Sequence, residues 1–375
     1  MKIVVAMDSF KGSLTAVRAC QITADALTSA CGSLEIVQKP IADGGEGTAL
    51  TMITAMNGEW ISVTVTGPMP DIIVDAGFAW FEKDKMAVVE MASASGLPLL
   101  TPQQRNPLKT TTVGTGQLVN AAIEKGAKRI MLAVGGSATV DGGIGAAAAL
   151  GWQFLDENSK PLEPTGGNLL EIKKIIPPAN LSQIPEIEVL CDVENKLLGT
   201  AGAASVFGPQ KGATPEMVIQ LEKGLTNLTD IVRRQLGKEI DICYAGAAGG
   251  LAAGAVAFMN AKLVSGIDTI IKCTGIESDI QTADWLITGE GSFDSQSLSG
   301  KVISGLAKIA RRTKTKIAVF AGSSSLTKLQ YQSHGITDVF VLRKNNMPLE
   351  YAITHSEQLL AGIAIEFARK YLFDD

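Results

Sequence analysis

Histidine is almost absent: the 375 residues contain only His334 and His355. That shortage argues against a Ser-His-Asp hydrolase and a histidine-rich metal centre, and it points to carboxylates and lysines for general acid–base work. His334 precedes Gly335 and reads as a cation at a helix C-terminus, and His355 lies in the polar stretch THSEQ. Cysteine is also sparse. Cys20, Cys31, Cys191, Cys243 and Cys273 are odd in number, widely spaced and without a CxxC pair, so neither a disulfide framework nor a zinc ribbon is indicated and a reducing cytoplasm is expected. Charge is low at 19%, against a usual value of about 25%. With 33 Lys+Arg against 38 Asp+Glu and a net charge of −5, no global field recruits nucleic acid or an anionic membrane. Long hydrophobic runs are missing too. The N-terminal run MKIVVAM stops at Asp8, too early for a signal peptide. The charge-free stretch Tyr244 to Ala261 is mostly Gly and Ala and reads as a buried helix, since a membrane span needs about 20 predominantly apolar residues.

What the chain does have is apolar residues, 46%, and glycine, 39 of 375. At roughly 100–200 residues per domain its length predicts two domains. KIVVAMD reads as a buried strand, Ser13 to Ala30 as a helix, LEIVQKPIAD as a second strand and Gly47 to Met56 as a second helix. The C-terminal third repeats that rhythm: TADWLITG, a helix from about Gly300 to Arg312, KIAVFAG, a helix from Leu326 to His334, ITDVFVL, and a last helix from Leu349 to Tyr371. Such alternation predicts a doubly wound parallel sheet with helices on both faces. Between these ends WISVTVTGP, IIVDAGFAWF and KMAVVEMA follow one another without helices and predict an antiparallel meander. The expected architecture is therefore α/β. Residues 1–60 and 282–375 form a flavodoxin-like domain, an inserted mixed α+β domain spans 61–281, and the active site lies in the cleft between them.

Polar, glycine-rich clusters fall where strands are expected to end: DSFKGS (8–13), ADGGEGT (42–48), TTVGTG (111–116), GGSATVDGG (135–143), CDVEN (191–195), FGPQKG (207–212) and TGEGSFDSQSLSGK (288–301). In open α/β sheets ligands bind at the carboxyl ends of strands, so these loops are expected to converge on a polar site. The P-loop spacing is absent, because Ser295 stands where its first Gly belongs and Val302 where Ser or Thr is needed. Gly143-Ile-Gly-Ala-Ala-Ala148 matches GxGxxA, but the next strand-end acid, Asp156, follows Gly143 by 13 residues where about 20 is expected of a dinucleotide fold. A phosphate cradle needs neither motif, since Gly and Ser at a helix start expose backbone N–H groups to an anion. Gly135, Gly136 and Ser137, and Gly289, Gly291 and Ser292, suit that role. Lys11, Lys211 and Lys301 each sit beside a Gly, where a point charge can meet a phosphate oxygen. The accompanying acids Asp8, Asp43, Glu46, Asp141, Asp192, Glu194, Glu290 and Asp294 suggest Mg²⁺ with a polyphosphate.

Taken in order over nearly the whole chain, DSFKGS, ADGGEGT, RNPLKTTTVGTG, GGSATVDGGIG, CDVEN, FGPQKGA, AGAAGGLAAG and GEGSFDSQSLSGK resemble the bacterial glycerate kinases that form 2-phosphoglycerate. Lys196 departs from the family's pattern, which has Pro after the Asn of CDVEN. The resemblance implies ATP-dependent phosphorylation of D-glycerate, within glycerate, glyoxylate or sugar-acid catabolism. Within that reading Asp192, Lys11 and Lys211 are expected to be catalytic, with Asp192 as the base or orienter of the glycerate hydroxyl because it follows the apolar strand IEVL. Gly135, Gly136, Ser137, Gly289, Gly291, Ser292 and Lys301 are expected at ATP, Glu290 and Asp294 at Mg²⁺, and Asp8, Ser9, Ser13, Asp43 and Glu46 at the substrate. Lys11 serves equally well for the substrate carboxylate or for the ATP phosphates. A related hydroxy acid as substrate, a nicotinamide dehydrogenase using Gly143 to Ala148, and a non-catalytic small-acid sensor are the alternatives. A homo-oligomer is compatible with the sequence.

Overall fold

The computed structural model describes residues 1–179, 184–298, 301–344 and 346–373. In chain order the strands are β1 (Lys2–Met7), β2 (Glu35–Gln38), β3 (Glu59–Thr66), β4 (Ile73–Phe81), β5 (Met86–Glu90), β6 (Arg129–Ala133), β7 (Gln153–Leu155), β8 (Lys174–Ile176), β9 (Glu186–Cys191), β10 (Lys262–Ser265), β11 (Trp285–Phe293), β12 (Lys316–Ser324) and β13 (Asp338–Val341). The chain divides into two compact units. The first comprises Met1–Asp43, Leu50–Asn57 and Ile267–Asp375, and the second Gly44–Ala49 and Gly58–Gly266. Residues 44–49 thus pack with the second unit, and residues 267–281 with the first.

The first unit is a five-stranded, wholly parallel sheet in the order β13-β12-β11-β1-β2. Numbered within the unit that is 2-1-3-4-5, the flavodoxin-like order, with its topological switch between β1 and β11. The run KIVVAM makes a central strand because both of its faces are apolar: Ile3 through Met7 are fully buried. Ile3, Val5 and Met7 share one core with Trp285, Phe320 and Phe340 of the sheet and with Leu27 and Phe367. Those last two lie on the helices Ala16–Ala30 and Ser356–Tyr371. Rings of Trp285, Phe320 and Phe340 meet Phe367 edge-on at 5.0–5.9 Å, the geometry their quadrupoles favour. The helix Val302–Thr313 packs against β11 and β12.

The second unit is a six-stranded sheet in the order β10-β9-β6-β5-β4-β3. Its first four strands are parallel, and β5, β4 and β3 form the expected antiparallel meander. The strands β7 and β8 pair separately.

Several elements depart from expectation. The helix expected from Ser13 begins at Ala16, because Phe10 to Leu14 close a tight turn with Gly12 at φ +77°, a conformation glycine adopts without strain. TTVGTG is not a free loop: the helix Val113–Glu124 starts inside it. The expected last helix is two, Leu349–Thr354 and Ser356–Tyr371, broken at His355. The 22-residue helix Pro215–Leu236, whose Thr214 accepts a hydrogen bond from Met217 N as its N-cap, is a further element that the strand–helix alternation does not reveal. Ser299 and Gly300 of the last glycine-rich motif, and part of the proline-rich stretch 161–185, lie outside the described residues.

Candidate functional site

A cavity of about 520 Å³ opens in the first unit at the carboxyl ends of β1 and β11, the switch point where such sheets bind ligands. The loop after β1 supplies Asp8, Ser9, Lys11 and Ser13, β11 with the turn after it supplies Glu290, Gly291, Ser292, Asp294 and Ser297, and Asp43, Lys301, Ser323, Arg343 and Ser356 complete the polar lining. Close backbone approach shapes this wall. Asp8 N donates to Gly289 O at 2.9 Å, and a Cβ on Gly289 would come within 2.0 Å of Phe320 O. A Cβ on Gly322 would meet Gly291 O at 2.4 Å. Gly289 is therefore a packing glycine behind the cavity rather than part of its lining. Lys301 caps the start of the helix Val302–Thr313, where the helix dipole adds to its charge in favouring an anion.

The carboxylates here repel one another. Asp8 is pushed up from its usual 3.8 to about 7, first by burial and then by Asp43, with Glu290 adding to the rise while Ser9 N, at 2.6 Å, and Lys11 oppose it. Glu290 is raised as well, chiefly by burial, against the Ser297 hydrogen bond and Lys301. Its buried Oε1 has no hydrogen-bond partner, so one lone-pair set faces no protein donor. Asp294 has its Oδ1 occupied by Gln296 N (2.8 Å) and Ser297 N (3.4 Å). Among the described residues no three His, Cys, Asp or Glu side chains are grouped closely enough to hold a metal ion unaided. Mg²⁺, however, commonly takes only one or two protein carboxylates together with phosphate and water. An orphaned carboxylate oxygen beside mutually repelling acids fits that requirement.

The second unit gathers the remaining predicted residues along the carboxyl ends of its parallel strands. A Cβ on Gly44 would meet the Leu190 side chain at 2.8 Å, and one on Gly135 would meet Gly45 Cα at 2.6 Å. The segment carrying the exposed Glu46 therefore lies against the ends of β9 and β6. Gly136, at φ +75°, turns the loop after β6, and Ser137 follows it. Lys211 is 2% exposed, and its Nζ donates to Ser137 Oγ (3.1 Å) and Thr139 O (2.7 Å). Burial lowers its ammonium from 10.5 to about 7, opposed by Asp141. Lys211 thus fastens the Gly135–Thr139 loop. Asp192 is exposed immediately after β9.

Glu90 has a role that no motif announces, and Asp141, expected among the acids of the phosphate site, is instead bonded inward. Glu90 ends β5 and accepts from Gly47 N (3.2 Å) and Ala49 N (2.5 Å), pinning the ADGGEGT segment, and burial raises its carboxyl. Its signal was available: it ends an apolar strand run, KMAVVE, by the same logic that selects Asp192 after IEVL. Asp141 is fully buried and accepts from Thr112 N, Thr112 Oγ1, Gly143 N and Gly145 N. Those bonds consume the N–H groups that a pyrophosphate would need at Gly143 to Ala148, which removes the basis of the dinucleotide reading.

A parallel switch-point sheet with lysines, a helix start and crowded carboxylates at its ligand edge has the make-up of an α/β phosphotransferase. The glycerate kinase family model matches residues 3–372, and the chain belongs to that family; it is a kinase. A glycerate kinase of Bacillus subtilis (strain 168) is 40% identical over 371 residues, covering 98% of this chain and 97% of that protein. The glycerate 2-kinase of Escherichia coli (strain K12) is 39% identical over 343 residues, covering 91% and 90% respectively. A crystal structure from Salmonella typhimurium LT2 superimposes with a TM-score of 0.86 at 38% identity, over 99% of this chain and 98% of that one.

Proposed function

We propose that this chain transfers the γ-phosphoryl group of ATP to the 2-hydroxyl of D-glycerate, giving 2-phosphoglycerate. The observation that carries the reading is the switch-point cavity of a glycerate kinase family member, in which Lys11, Lys301 and a helix start face crowded carboxylates. Phosphoryl transfer asks little covalent chemistry of the protein, which must align the donor with the acceptor oxygen and neutralise spreading charge. Lys11 and Lys301 neutralise phosphate oxygens. Glu290 and Asp294 would hold Mg²⁺, which when bound shields the phosphate charge. Asp8, Ser9, Ser13, Asp43 and Glu46 contribute hydrogen bonds to the substrates. Lys211 keeps the Gly135–Ser137 loop in place so that its backbone N–H groups stay presented, and Asp192 accepts the hydroxyl proton. Five cysteines that form no disulfide fit a reducing compartment, the cytoplasm, and among the described residues no helix is long and apolar enough to cross a membrane. The product suits glycerate, glyoxylate or sugar-acid catabolism.

The test is ADP release coupled to a spectrophotometric readout, with Mg²⁺ and ATP and each of D-glycerate, L-glycerate, glycolate, lactate and tartronate in turn. Release specific to D-glycerate is expected. Release with a different acid alone would replace the substrate and keep the chemistry, and release with none would overturn the assignment.

A further inference from the structure

The lining of the switch-point cavity is mixed, holding apolar side chains beside its ionic and hydroxyl ones. Besides Lys11, Lys301, Arg343 and the acids, it is lined by the aliphatic Leu349, Ala352 and Ile353. These three stand at i, i+3 and i+4 and therefore share one face of the helix Leu349–Thr354. No residue of that helix is buried: Leu349 is 59% and Ile353 40% exposed. An apolar helix face uncovered by protein, lining a cavity that also holds ionic side chains, is the amphipathic lining of a small-molecule site. Glycerate cannot cover it, because a three-carbon hydroxy acid has no apolar body. A nucleoside triphosphate has both parts, an anionic tail for the lysines and a flat base for the aliphatic wall.

We infer that the helix Leu349–Thr354 is the base platform of the nucleotide site, with Leu349 and Ile353 packing on the purine ring while the phosphates reach toward Lys11 and Lys301. The two kinds of lining are tied together, since Ser13 Oγ donates to Ile353 O at 3.4 Å and links the loop after β1 to the platform. The inference rests on the kinase reading and adds to it where the donor sits. Recognition of this kind reads area rather than base edges, so neutral polar substitutions weaken it without touching the phosphate contacts.

The experiment is the double variant Leu349→Ser/Ile353→Ser beside Ile353→Leu. It is read by the Kd of a fluorescent N-methylanthraniloyl ATP and by separate KM values for ATP and D-glycerate, with circular dichroism as the fold check. Expected are an at least tenfold rise in Kd and in KM for ATP in the double variant, KM for glycerate within twofold, and near-normal values for Ile353→Leu. Unchanged nucleotide Kd in a folded, active double variant would overturn the platform and leave the kinase assignment standing. A rise confined to KM for glycerate would overturn it also, by seating the acid on this wall. Should the unmodified chain prove inactive on every acid, the kinase reading fails separately, and the fluorescent Kd still decides whether the platform binds a base.

Discussion

Replacing Asp8 by asparagine should make the folded chain more stable above neutral pH while it impairs turnover. Asp8 ionises at about 7 in the folded protein against 3.8 ordinarily. Between those values the folded state holds a proton that the unfolded chain has already released, so the group subtracts stability as pH rises from 3.8 and the loss levels off above 7. At about 1.36 kcal/mol per pH unit the loss is at most about 4 kcal/mol at pH 8.5 and about 2 kcal/mol at pH 5.5. Asn is neutral at both, and its carbonyl can still accept from Ser9 N, the bond Asp8 makes at 2.6 Å. Urea denaturation of both proteins at the two pH values is the assay. The variant should be the more stable, with a gain larger by about 2 kcal/mol at pH 8.5 than at pH 5.5, and its turnover should fall roughly tenfold or more with a raised KM for D-glycerate. A variant less stable than the parent at pH 8.5, or a gain that does not grow with pH, would refute the electrostatic account of the cavity. The trade-off itself is the usual signature of a destabilised functional site.

Three further outcomes can be checked by steady-state kinetics and melting curves. Lys211→Met should cut kcat by roughly tenfold or more while stability changes by less than about 2 kcal/mol, because removing a buried ammonium offsets the orphaned Thr139 carbonyl; a large stability loss with kcat intact would end its role as fastener of the loop. Lys211 also binds its proton more weakly when folded, about 7 against 10.5, so stability should rise with pH between those values in the parent and less so in the variant. Lys11→Ala should raise KM for ATP more than KM for glycerate, and no change in either or in kcat would remove Lys11 from the site. Asp192→Asn should lower kcat by about 10²–10⁴-fold in a folded protein, whereas near-normal turnover would transfer the proton-accepting role to another carboxylate.

Residues whose role is local were legible in the sequence. KIVVAM, TADWLITG and KIAVFAG announce central strands by unbroken apolar runs, and DSFKGS and TGEGSF announce their polar carboxyl ends; the structure places both at one switch point. Residues whose role is set by a distant partner were not. Lys211 reads as a loop cation until it is seen buried against Ser137, 74 positions away. Glu90 reads as the end of a strand until Gly47 and Ala49 are found donating to it. GxGxxA at Gly143 keeps its nucleotide signature in sequence, yet Asp141 and Thr112 occupy its N–H groups. The aliphatic platform was hidden inside what reads as one long helix, because the break at His355 carries neither Gly nor Pro.

The most direct test of the account is proton-coupled phosphorus NMR of the product made from D-glycerate, ATP and Mg²⁺. A new phosphorus signal split into a doublet by the single C2 proton is predicted, since phosphate on the 2-hydroxyl has that one neighbour. A triplet from the two C3 protons, or no organic phosphate at all, would contradict it.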